Sequence, residues 1–181
     1  MSGTATINNA GGSLVGAVGG TGFLNIGAGI TLQGHGFLND NSVGTINNAG
    51  TILANTAGQT FSITSTTFNN TGTINHTAGT LNINPTTFNN SGSFTTASGL
   101  TANLNTTTLN NTGSITNNGA TLNLTTSGTA TLNNTTGTIT LNSGILNVGG
   151  SFDANDFTST NFIRNGGTFN IASNTNYDIG G

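Results

Sequence analysis

Large apolar residues recur along this chain in a fixed phrase rather than at helical spacing. One follows a Thr-rich corner at Phe68, Phe88, Leu109 and Leu132, and less cleanly at Phe37 and Phe157. Six or seven residues later comes the apolar residue of a Gly-Thr-Ile type phrase, at Ile74, Phe94, Ile115 and Ile139. A pair two residues apart then closes the unit: Leu81 with Ile83, Ala102 with Leu104, Leu122 with Leu124, Leu146 with Val148. Phe61 with Ile63 and Phe169 with Ile171 extend the series in both directions.

Measured from Phe68 through Leu109 and Leu132 to Phe157, successive units are 20, 21, 23 and 25 residues long. A period in that range reads as one coil of a solenoid, and about seven coils are present. Inside a coil, apolar-Asn-apolar alternation with β-branched neighbours predicts strands of about three to five residues separated by turns. Gly and Asn in "NTG", "NSG" and "NNG" are read as corner residues that tolerate left-handed conformations. The predicted fold is all-β, a right-handed parallel β-helix or β-solenoid in a single domain over 1–181. Residues 1–36 are less regular leading coils, 37–172 the regular repeats and 173–181 a terminal segment.

Stacking at the strand spacing of about 4.8 Å gives a rod roughly 34 Å long. Each anchor then lies over its counterpart. Phe68, Phe88, Leu109 and Leu132 form one interior column, and Ile74, Phe94, Ile115 and Ile139 another. The paired asparagines beginning at Asn69, Asn89, Asn110 and Asn133 are expected to form ladders whose amides bond coil to coil, as stacked Asn does in cross-β assemblies.

Composition removes whole classes of function. There is one Arg, no Lys, no Glu and four Asp, so the counterion release that drives nucleic-acid binding has almost no source, and a nucleic-acid partner is not expected. No Cys is present, hence no disulfide framework. The longest apolar stretches, "SLVGAV" and "FLNIGAGITL", are too short and too broken by Gly and Asn to span a membrane. Met1 is followed by small polar residues without a basic start, so no secretory leader is recognisable.

In phrases such as "NNTGTI" at 69–74, the sequence resembles the repeat regions of filamentous-haemagglutinin-like adhesins and other large secreted bacterial β-helix proteins. The resemblance covers roughly residues 37–172 and is one of architecture and composition. It implies export to the cell surface and an adhesive role there. No counterpart of that family's amino-terminal secretion domain is recognisable, and no residue-level role is inherited.

Candidate chemistry is sparse. Hydrolytic β-helices need clustered carboxylates or an assisted base. Of the acids, Asp40, Asp153, Asp156 and Asp178, only Asp153 and Asp156 are close in sequence. They read as an Asx-type turn, with a weak calcium site as the functional alternative. His35 and His76 lie two coils apart without a third ligand and read as solvated or stacked turn residues. Arg164 reads as a surface residue or an anion contact. No catalytic, cofactor-binding or further metal residue is expected, and the chain is not expected to be an enzyme. Asn-x-Ser/Thr triplets at Asn69, Asn75, Asn89, Asn110 and Asn133 follow from composition.

Two corners are longer than the basic coil, Thr125 to Thr131 and Gly149 to Asp156, and both follow the closing pair, which places them at one corner of the solenoid. Three functions follow. The first is a surface adhesin, with a cell-surface or carbohydrate partner. The second is a fibre subunit whose partner is itself, stacked end to end, because no amphipathic helix or charged cap is recognisable at either end. The third is ice binding through rows of Thr, such as those at 66 and 67, 86 and 87, and 107 and 108.

Overall fold

The four-residue phrase Thr-Phe-Asn-Asn explains the building unit. In an extended chain successive side chains point to opposite faces, so the apolar residue and the second Asn face one way while Thr and the first Asn face the other. Thr67–Asn70, Thr87–Asn90 and Thr108–Asn111 are strands of this kind, and in each the second and fourth residues are buried.

The computed structural model describes residues 3–15, 22–39, 44–124, 130–172 and 175–178. The chain enters through β1 (Ala5–Val15), β2 (Phe23–Ile26), β3 (Ile30–Asn39), β4 (Thr45–Asn48), β5 (Thr51–Thr64) and β6 (Thr67–Asn70). The middle coils are β7 (Thr73–Ile83), β8 (Thr87–Asn90), β9 (Ser93–Thr96), β10 (Thr101–Leu104), β11 (Thr108–Asn111) and β12 (Ser114–Leu124). The last are β13 (Thr131–Asn133), β14 (Thr138–Val148), β15 (Ser151–Asp153), β16 (Phe162–Arg164), β17 (Thr168–Ile171) and β18 (Asn176–Asp178), with a 3-10 helix at Ala154–Phe157.

Two parallel sheets result. Sheet A runs β1-β3-β5-β7-β10-β12-β14-β16, with β9 beside β7 and β12 and β17 beside β14; sheet B runs β18-β15-β13-β11-β8-β6-β4-β2. Strands that neighbour in space are one coil apart in sequence. The molecule is a β-solenoid of about seven turns.

Register stacks like on like. Ile46, Phe68, Phe88, Leu109 and Leu132 are successive partners in sheet B. Ile52, Ile74, Phe94, Ile115 and Ile139 are successive partners in sheet A. All are essentially fully buried, and each such side chain contributes about 1.5–3 kcal/mol of burial free energy. The Phe68 and Phe88 rings stack with centroids 5.1 Å apart and planes 8° from parallel.

Two anchors read from the sequence belong elsewhere. Phe37 pairs with Ser62 in sheet A and is 53% exposed; the column before Phe68 continues through Ile46 to Leu24. At the other end Thr131 pairs with Ser151, which puts Phe152, not Phe157, after Leu132. That coil is therefore 20 residues long, from Leu132 to Phe152, rather than 25. Phe157 misled because it sits in an inserted 3-10 turn, five residues beyond the Phe that keeps the register.

The long corners also separate. Gly149 and Gly150 alone join β14 to β15, so the extra residues, 154–161, fall at the following corner and not at the one that holds 125–129. Residues 125–129 lie outside the described residues.

The corner glycines of "NTG" and "NSG" have a different cause from the one expected. Gly72, Gly92 and Gly113 do not have positive φ. Each lies so close to the backbone of the coil before it that an added Cβ would collide with a carbonyl oxygen, that of Gly50, Gly72 and Gly92 respectively. Close approach, not handedness, excludes a side chain there.

One end is partly covered. Phe157 packs edge-on against Phe152 at 5.1 Å and Phe162 at 5.2 Å, and tilted against Phe169 at 5.3 Å. An apolar cluster from the 3-10 turn thus covers part of the interior of the last coil, where no cap was recognised from the sequence.

Candidate functional site: asparagine ladders and the cleft beside Asp156

Alternation puts a Thr row and an Asn row on the outside of sheet B, two residues apart. Thr45, Thr67, Thr87, Thr108 and Thr131 are successive partners. Beside them, Asn69 Nδ2 donates to Asn47 Oδ1 at 2.8 Å, Asn89 to Asn69 at 2.8 Å, Asn110 to Asn89 at 2.8 Å and Asn133 to Asn110 at 2.6 Å. Sheet A repeats the device, with Asn103 donating to Asn82, Asn123 to Asn103, Asn147 to Asn123 and Asn170 to Asn147, all within 2.7–2.9 Å. Each rung uses one N–H and one lone pair of the amide, which leaves a second of each for solvent or a ligand. The result is a stiff, uncharged face of hydroxyls and amides.

A second ladder lies inside. Asn48 Nδ2 donates to Asn70 Oδ1 at 2.7 Å, Asn70 to Asn90 at 2.8 Å, Asn90 to Asn111 at 2.8 Å and Asn111 to Asn134 at 2.6 Å. These side chains are at most 1% exposed. The outer ladder donates toward the first coil, and the inner one toward the last.

The inner ladder stops on Asp156. Asn134 Nδ2 donates to the Asp156 carbonyl at 2.9 Å, and the Asn134 N–H donates to Asp156 Oδ1 at 2.5 Å. Asp156 Oδ2 accepts the Asp153 N–H at 2.9 Å, while Asp153 Oδ1 accepts the Asn155 N–H at 2.7 Å. Asp153 and Asp156 therefore form a capping box for the 3-10 turn, which consumes both Asp156 oxygens. Together they do not leave a free pair of carboxylates for calcium.

Asp156 also acts as a wedge. Its carboxylate bridges N–H groups of two successive coils, and β13 and β15 pair through only Thr131 and Ser151. A cleft of about 230 Å³ opens between them. Leu132 and Phe152 line it but are themselves buried, Thr131 and Ser151 bring hydroxyls, and Asn133 and Asp153 bring acceptors.

His76 departs from the solvated reading. It is 1% exposed, in register between Ala54 and Thr96, with Nε2 3.1 Å from the Gly79 carbonyl. A carbonyl only accepts, so Nε2 carries the proton and Nδ1 is a bare acceptor; that atom is buried without a partner. Burial holds the imidazole below its ordinary pKa against the opposing effect of the Gly79 hydrogen bond. Thr96 and Asn117 continue the same buried polar column, and Asn117 is tied down by Gly119, Ala120 and Ile145.

His35 is half-buried on β3, two strands of sheet A before His76. Arg164 is exposed and donates to the Gly167 carbonyl at 2.7 Å. Asp40 lies outside the described residues, and Asp178 pairs in register with Asp153. Among the described residues no three His, Cys, Asp or Glu side chains gather as a metal-holding group. No described helix is long and apolar enough to cross a membrane.

The cleft and its wedge escaped sequence reasoning. The signal was there in "SFDAN": aligned on Thr131 and Ser151, its Asp stands where "TFNN" and "TLNN" have the outer Asn. No family model matches the chain, and no curated protein or solved structure matches it either.

Proposed function

We propose that the chain is a non-enzymatic, extracellular adhesive β-solenoid of a bacterial surface, making contact through its repeated Thr/Asn faces. The observation that carries this reading is the unbroken outer row pair of sheet B, Thr45 to Thr131 beside Asn47 to Asn133, with every amide held by its neighbours. Rigid groups lose little entropy on binding, and many weak identical contacts along one face add up through multivalency. The resemblance to adhesin repeats supports the same role and location. The test is retention of chain-coated beads on bacterial and host-cell layers. Thr67→Lys with Thr108→Lys, at outward-facing, half-buried strand positions, should leave the circular dichroism spectrum unchanged and lower retention severalfold. Undiminished retention in these variants, and in equivalent ones on sheet A, overturns the reading.

A second reading, assembly of copies end to end, draws on Ile171. It occupies the interior column after Val148 yet is 51% exposed, so β17 presents apolar surface that another coil would cover. Electron microscopy after dilution separates the two: long filaments with an axial repeat of about 4.8 Å support assembly, and uniform short rods exclude it.

A further inference from the structure

We propose that Arg164 guards the open edge of sheet A, keeping the first coil of a second copy from stacking on the last coil of this one. Such a role goes beyond the adhesive reading and stands against the end-to-end assembly that Ile171 favours. Arg164 is the one Lys or Arg in 181 residues. The fold places that single cation on an edge strand.

β16 pairs with β14 through Ile139 with Phe162, Thr140 with Ile163 and Leu141 with Arg164. Among the described residues no strand lies on its far side. Paired residues of stacked parallel strands point to the same face, so Arg164 leaves the backbone where Leu141 does, toward the interior. The column beneath it runs through Ala54, His76, Thr96, Asn117 and Leu141, each at most 1% exposed. It contains no acid to pair with a cation. Arg164 differs from every rung below it in being exposed, and its guanidinium donates to the Gly167 carbonyl at 2.7 Å. An interior position thus carries a charge that reaches water only while nothing is stacked above it.

Another coil would remove that water. In continued register the place above Arg164 falls to Asn9 of the incoming copy, because Asn9 pairs with Gly34 and Gly34 with Ala54 at the head of the same column. Asn9 brings an amide but no charge, and residues 1–36 hold no Asp or Glu to supply one. A guanidinium does not shed its proton on burial, so it would sit in the junction as an unpaired cation. Turning the incoming copy round, last coil against last coil, brings two Arg164 side chains together instead. An inward-pointing charge on an edge strand is one of the ways in which sheets avoid edge-to-edge growth.

Ile171 shows what is guarded. β17 likewise pairs only with β14 and leaves Ile171 51% exposed, an apolar invitation to a further coil. Covering one half-exposed apolar side chain returns less than burying an unpaired charge costs. The two strands share one edge, so a coil that covers Ile171 must also cover Arg164.

The full chain and three variants are compared by sedimentation and electron microscopy over a range of concentrations, with circular dichroism as the check on folding. Arg164→Met keeps the length of the side chain and removes its charge. Arg164→Gln is a second neutral variant should the first fail to fold, and Arg164→Lys keeps a cation. The wild type and Arg164→Lys should remain single short rods. The neutral variants should form filaments with an axial repeat of about 4.8 Å, at a concentration at least tenfold below any at which the wild type sediments. Wild-type filaments at the same threshold as the neutral variants, or rods from the folded neutral variants at every concentration, overturn the assignment. Filaments from Arg164→Lys as readily as from Arg164→Met overturn it equally, since the charge would then not be the guard.

Discussion

Asn70 Nδ2 lies 2.8 Å from Asn90 Oδ1, and neither side chain is more than 1% exposed. One residue earlier in each strand, Asn89 returns the bond to Asn69 at the same length on the outside of the sheet. The same residue type in the same two strands thus experiences two different media.

That difference sets the first expectation. Asn90→Ala takes the acceptor from Asn70 Nδ2 and the donor from Asn111 Oδ1 in a dry interior, at about 1–3 kcal/mol for each group left unpaired. Asn89→Ala exposes its partners to water and should cost under about 1 kcal/mol. Urea denaturation of the two variants checks the order; equal losses would mean that burial does not govern the ladders.

Corner glycines should divide in the same way. Gly92→Ala drives a methyl into the Gly72 carbonyl and should fail to fold or lose several kcal/mol, as overpacking does. Gly99 has φ +77 with open space around it, so Gly99→Ala meets only the left-handed penalty of about 1–2 kcal/mol. Thermal melts followed by circular dichroism distinguish the two.

His76 makes the rod sensitive to acid. Its folded-state pKa is depressed, chiefly by burial, while an unfolded His titrates near about 6.5. Above that pH both states are neutral and the full stability is present. As pH falls below about 6.5 the unfolded chain takes up a proton that the folded one refuses, so stability declines until the folded pKa is passed. Urea midpoints measured from pH 8 to pH 5 should fall in the wild type and stay nearly flat in His76→Asn. Parallel curves for the two would place the sensitivity elsewhere.

Phe157→Ala removes three ring contacts from the last coil. Because the ring is only partly buried, the loss should be about 1–3 kcal/mol, below the 3–5 of a core Phe. In a stacked repeat each coil contacts only its neighbours. Hydrogen exchange should therefore quicken over 150–172 and stay slow around Phe68 and Phe88. Uniform quickening along the rod would show global cooperativity instead.

The repeat was legible because burial acts on period: Phe68, Ile74, Leu81 and Ile83 declare their side of the strand by alternation alone. Gly72 shows the limit. Its presence is visible in "NTG", but whether handedness or a neighbouring carbonyl demands it depends on how closely coils approach, which no single coil encodes. Asp156 was opaque for a related reason. Its partners, Asn134 and Asp153, come from two different coils, and the insertion that aligns them breaks the period on which the reading relied. His76 has no apolar signature, and its column neighbours Thr96 and Asn117 are polar as well. Alternation puts His76 on the face of Ile74, two residues earlier, and it was the polarity of the side chain that argued for a solvated reading.

Stacked amides that all point one way add their dipoles, as the peptide units of a helix do. In sheet B the row through Asn69 and Asn89 and the row through Asn70 and Asn90 point in opposite senses along the axis. Their fields oppose one another coil by coil. Lengthening this sheet therefore adds to two opposed potentials instead of one, so each new turn offsets part of the field that its own buried row adds.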